Sequence, residues 1–128
     1  MVMFDTNYVL RLILDDNKEM ADTAENAIRN DKVYVRDEVI AEAVHVLAKV
    51  YGQERQVIAK AVSAFINLKN ITLDSKAVTV KGLQYYAETK LDYVDCLLAA
   101  FHSEKGDTIL TFDKKLNNLM KRIDEENT

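Results

Sequence analysis

A chain of 128 residues falls within the usual size of one domain and can bury a substantial core, so a single domain over 1–128 is expected. Hydrophobic residues at 48% and charged residues at 30% leave no composition-based case for disorder. A net charge of −4 argues against holding long nucleic acid by charge alone, which needs many Lys and Arg contacts to phosphate.

Short β-type runs alternate with longer amphipathic segments. Val2-Met3-Phe4 leads into predicted helices over 6–14 and 18–29, and Val33-Tyr34-Val35 into helices over 37–51 and 53–68. Ile71-Thr72-Leu73 leads into helices over 75–89 and 93–105, and Thr108-Ile109-Leu110-Thr111-Phe112 into one over 114–121. This rhythm means a parallel sheet covered by helices. Gly52 and Gly106 stand just past two helix ends, where a left-handed cap favours glycine, and Lys105 puts a cation at a negative helix end. Cys96, the single cysteine, lies in the apolar run Cys96-Leu97-Leu98-Ala99-Ala100 and reads as a small buried hydrophobe. No apolar run approaches the roughly 20 residues that span a bilayer. The start Met1-Val2-Met3-Phe4-Asp5 lacks the basic region and long apolar stretch of a signal peptide, so a cytoplasmic protein without membrane association is expected.

Several acids fall at telling places. Asp5 directly follows the first predicted strand and Asp113 the fourth, at the carboxyl ends where open α/β sheets bind ligands. Either residue taken singly is equally placed to cap the helix that follows. Over 37–51, Ile40, Ala43, Val44, Leu47 and Tyr51 form an apolar stripe with Glu42 at its edge. Glu42 is then either a partly desolvated carboxylate that needs a cation or a solvated residue at the helix margin. Over 93–105 the predicted apolar face carries Val94, Leu97, Leu98 and Phe101, with Asp95 off that face in the first turn. Asp92 stands where an N-cap belongs. Asp95 is shorter than the Glu or Gln that a capping box prefers, which leaves it freer for a ligand role.

These stretches carry a family resemblance. Phe4-Asp5-Thr6-Asn7, Ile40-Ala41-Glu42-Ala43-Val44-His45-Val46-Leu47, Asp92-Tyr93-Val94-Asp95-Cys96-Leu97-Leu98-Ala99-Ala100 and Thr111-Phe112-Asp113-Lys114-Lys115-Leu116 resemble, in order, the four motifs of the PIN-domain family. Its best-populated branch is the VapC-type toxins of prokaryotic toxin–antitoxin pairs. The resemblance implies a PIN-like three-layer α/β/α fold with a central parallel sheet of four or five strands, in one PIN-like domain over 1–128. It implies that Asp5, Glu42, Asp95 and Asp113 are catalytic, metal-holding acids, with Asp92 an auxiliary metal ligand and Thr6, Asn7 and Thr111 polar supports. It further implies Mg²⁺ or Mn²⁺ as cofactor, single-stranded RNA as substrate, a cognate antitoxin and a homodimer. Many members continue into a short fifth strand, whereas here Asn117-Asn118-Leu119-Met120-Lys121-Arg122-Ile123 leads straight into the acidic Asp124-Glu125-Glu126.

The chemistry agrees with such a site. Hard cations prefer oxygen ligands, and a bound cation lowers the pKa of water for attack on a phosphodiester. Lys114, Lys115, Lys121 and Arg122 either follow an RNA backbone near Asp113 or form a solvated face. Tyr85 and Tyr86 either stack bases or, at helical spacing, place at least one ring in the core. His45 and His102 read as ordinary surface residues, since no His/Cys zinc spacing is present. There is neither a G-x-x-x-x-G-K-[ST] phosphate loop nor a G-x-S-x-G elbow, which removes P-loop nucleotidase and serine hydrolase chemistry. Two rivals stand. One is an acid-rich phosphotransfer or aspartyl phosphohydrolase protein, for which Phe4-Asp5-Thr6 offers one acid too few. The other is a catalytically idle PIN module used for RNA or protein binding, which a missing acid would favour.

Overall fold

A computed structural model describes residues 1–128. They group into two compact units, Met1–Lys76 and Ala77–Thr128.

In the first unit β1 (Val2–Met3), β2 (Val33–Val35) and β3 (Ile71–Leu73) form a parallel sheet in the order β1-β2-β3. Val2 stands opposite Val33, and Val33 opposite Ile71. Parallel strands must each restart from the same end, so the chain returns through helical crossovers. The first crossover holds α1 (Thr6–Leu14) and α2 (Lys18–Asn30), and the second α3 (Asp37–Lys49) and α4 (Arg55–Ile66). α1 packs against α2, α3 and α4. Val9, Ile40, Val44, Leu47, Ile58 and Val62 are fully buried with Val33 and Val35 of β2. The stripe predicted on α3 is correct except for Tyr51, which is exposed beyond the helix end. Gly52 follows with φ +62°, a left-handed conformation that stops the helix there.

The second unit is helical: α5 (Lys76–Glu88, whose first residue belongs to the first unit), α6 (Tyr93–Lys105) and α7 (Lys114–Glu126). α5 packs against α6 at Gly82, where a Cβ would make ordinary van der Waals contact 3.5 Å from the Leu97 Cα. The face that α6 buries is not the predicted one. Tyr93, Cys96, Ala99 and Ala100 turn inward, whereas Val94 is 55% exposed. Cys96, Ala99 and Ala100 are small enough to allow close backbone approach, while the larger Tyr93 is accommodated against Tyr86. Cys96 is buried, as the sequence suggested. Tyr85 and Tyr86 are both buried, and Tyr86 meets Tyr93 edge-on with ring centroids 6.1 Å apart, so neither is free to stack a base.

The sheet has three strands, not the four or five expected. Residues 108–112 form no strand, and Leu110 and Phe112 are 92% and 106% exposed. Local hydrogen bonds compete with a ladder there: Asp113 N–H donates to Thr111 Oγ1 at 3.0 Å, and the Asn117 amide donates to the Thr111 carbonyl at 2.9 Å. No fifth strand follows, because α7 continues through the acidic stretch to Glu126. No helix is long and apolar enough to cross a membrane.

Candidate metal-binding acids

Asp5 lies at the carboxyl end of β1 and caps α1, its Oδ1 accepting from Tyr8 N–H at 3.0 Å. The cap uses one carboxylate oxygen and leaves the second available. Thr6 and Asn7 open α1, Thr6 half-buried and Asn7 exposed. α3 starts at the carboxyl end of β2, the strand next to β1, and carries Glu42 in its second turn. Glu42 is exposed, so the partial desolvation considered for it is absent. Two further acids also stand at this sheet edge, Asp37 and Asp74. Asp74, just past β3, accepts from Asp37 N–H at 2.9 Å and closes the open start of α3, where Arg36 offers no side-chain cap. Asp37 is half-buried, and burial followed by the charge of Glu38 raises its carboxyl pKa despite Arg36.

In the second unit Asp113 caps α7, its Oδ1 accepting from Leu116 N–H at 3.0 Å. Thr111 supports it by accepting the Asp113 N–H. Asp92 occupies the N-cap position of α6 but makes no capping bond, so its carboxylate is not committed to the helix. Asp95 sits in the first turn beside the inward Cys96 and is half-buried as a result of how α6 is rotated. Burial, and then the like charges of Asp113 and Asp92, push its carboxyl above the ordinary aspartate range. Asp95 therefore senses the charges of Asp92 and Asp113 at two helix starts, and the positive ends of those helices favour anions there. Neither unit gathers three or more His, Cys, Asp or Glu side chains tightly enough to grip a metal ion. By chemistry the donors suit a hard divalent cation, being anionic oxygens that repel one another and are relieved by positive charge.

His45 is exposed, as expected. His102 is not an ordinary surface residue: its Nε2 meets Asp124 Oδ1 at 2.7 Å and its Nδ1 meets the Asp107 carbonyl at 2.9 Å. Both partners only accept, so the doubly protonated ring satisfies both contacts. The Asp107 carbonyl and Asp124 accordingly raise the His102 pKa. This clamp joins the end of α6 to α7 across the segment that carries Asp113.

Comparison with known proteins agrees with the ordered motifs. A "VapC ribonuclease" of Aquifex aeolicus (strain VF5) is 24% identical over 125 residues, covering 93% of this chain and 92% of the relative. No solved structure gives a significant match. The PIN domain family model matches residues 2–122. With nearly its whole length matched, and with the parallel α/β sheet described above, the chain belongs to the PIN-domain family.

Proposed function

We propose that this chain is a divalent-cation-dependent endoribonuclease that hydrolyses single-stranded RNA. Family membership and the name of the Aquifex relative support the nuclease reading. The observation that carries it is the placement of Asp95, half-buried in a helix first turn and facing Asp113 and Asp92 while Asp92 caps nothing.

In this reading Asp5, Glu42, Asp95 and Asp113 hold Mg²⁺ or Mn²⁺ with Asp92 as auxiliary ligand. When bound, the cation supplies a more acidic water and charge stabilisation at the phosphate. Asp5 and Asp113 each keep one oxygen on a helix N–H, which fixes the carboxylate and aims the other oxygen. Thr111 holds the Asp113 backbone, and Thr6 and Asn7 shape the first turn of α1. The reading extends to a toxin of a toxin–antitoxin pair, acting in the cytoplasm as a homodimer with a cognate antitoxin as partner.

Cleavage of single-stranded RNA by purified protein, in Mn²⁺ or in EDTA, tests the reading. Cleavage with Mn²⁺ that stops in EDTA is expected. Because no group of acids is drawn tight in either unit, an idle RNA-binding PIN module is the second reading, and RNA binding without Mn²⁺-dependent cleavage would select it.

A further inference from the structure

The second unit has a cavity of about 330 Å³ between the turn after α5 and one face of α7. Lys90 contributes from the turn, and Lys115 and Arg122, two helical turns apart, from α7. Their spacing of i and i+7 puts both on one helix face, with Asn118 between them. Leu91 and Leu119, both buried, supply its apolar wall. No Asp or Glu lines this space. In a chain of net charge −4, three cations drawn from two elements onto one concavity are a local reversal of sign.

The cations are also available. No ion pair engages Lys90 or Lys115, and Arg122 reaches Glu126 only at 3.9 Å between exposed side chains, a pair worth little. Lys114 and Lys121 do not line the cavity. The solvated-face reading therefore suits those two, whereas the other basic residues have a shared focus. Sequence connectivity sets the cavity beside the acids: Lys90 is two residues before Asp92, and Lys115 is two residues after Asp113. An extended chain spans at most roughly 7 Å over two residues, so the backbone positions that carry Lys90 and Lys115 lie close to those that carry Asp92 and Asp113.

We propose that Lys90, Lys115 and Arg122 form a binding site for the RNA sugar-phosphate backbone, seating phosphates of the substrate strand beside Asp92, Asp95 and Asp113. This rests on the ribonuclease reading for the identity of the strand and adds where it is held. Arg122 offers a planar fork for phosphate oxygens, and the lysines act as point charges. Contacts of this kind position the strand without reading its sequence.

The test replaces the three with glutamine (Lys90→Gln, Lys115→Gln, Arg122→Gln), which keeps most of each side-chain stem. A thermal melt confirms that the variant folds. Binding of a short fluorescein-labelled single-stranded RNA is measured in EDTA over a range of salt, and cleavage in Mn²⁺. The proposal expects affinity to fall at least about tenfold. It expects the salt slope to flatten by about 2, from roughly 0.7 per lost phosphate contact on a single strand. KM should rise while kcat stays within about twofold, the pattern of lost uniform binding. A variant that binds and cleaves like the parent overturns the site and leaves the ribonuclease reading intact. A parent that cleaves nothing, yet binds RNA with a slope that these substitutions flatten, removes the ribonuclease reading and keeps the site. A poly-glutamate peptide bound as tightly as RNA, and lost in the same variant, overturns the assignment to RNA in favour of an acidic protein partner.

Discussion

In the first unit carboxylates meet backbone donors: Asp5 closes the start of α1, and Asp74 reaches across to the first N–H of α3. In the second, Asp113 also caps a helix, but Asp92 caps nothing, and the half-buried Asp95 senses the charge of both. Asp5 and Asp74 are thus satisfied, whereas Asp95 is opposed by burial and by like charges with no cation beside it, unlike Asp37, whose raised carboxyl is partly offset by Arg36. The difference teaches where to look for function. An acid that completes a helix start explains itself, whereas one that is raised toward protonation by burial, and then by like charges, calls for a positive partner.

The largest expected effect is on catalysis. Asp95→Asn should lower Mn²⁺-dependent RNA cleavage by at least about a hundredfold, beyond what loss of a supporting residue around a metal costs. Activity within a few-fold of the parent would remove Asp95 from the site. The next effect sharpens the contrast in stability. Asp5→Ala should cost about 1 kcal/mol in metal-free protein through the lost N-cap. Chemical denaturation would show it, and an unchanged midpoint would mean that the capping bond contributes nothing.

The elements were legible where local chemistry fixes them. The start of α1 follows from Asp5 as its cap, and the end of α6 from Gly106 at φ +72°. What escaped depends on partners distant in sequence. Residues 108–112 read as a strand by composition, yet Thr111 and Asn117 draw their backbone into local bonds. The inward face of α6 depends on the elements packed against it, such as Tyr86 of α5 against Tyr93, which no periodicity within α6 reveals. His102 gains its role from Asp124, 22 residues away. Of the candidate acids, Asp92, Asp95 and Asp113 were singled out before their mutual interaction was visible, whereas the structural use of Asp74 depends on a pairing 37 residues apart.

His102 gives a smaller effect, with a pH signature. A histidine whose pKa is raised in the folded state stabilises most below its ordinary value near 6.5, and that contribution is lost as pH rises through the raised value. His102→Gln should therefore destabilise by about 1 kcal/mol in mildly acidic buffer, with the gap to the parent closing in alkaline buffer. A gap that is constant with pH would show a packing role only. An NMR titration of the His102 ring should place its midpoint above the ordinary histidine value near 6.5.

The account's central claim is that Asp95 stands in a site made for positive charge, and paired thermal melts test it most directly. An aspartate whose pKa is raised by folding weakens the native state once pH exceeds its unfolded value, because folding then disfavours the charge it carries. At neutral pH in EDTA, Asp95→Asn should melt at or above the parent. Mn²⁺ should raise the parent's Tm by mass action, with a much smaller rise for the variant. An Asp95→Asn protein that melts lower in EDTA, by the 0.3–1 kcal/mol of a lost helix-dipole interaction, and still gains fully from Mn²⁺ would contradict the account and make Asp95 a helix-start residue.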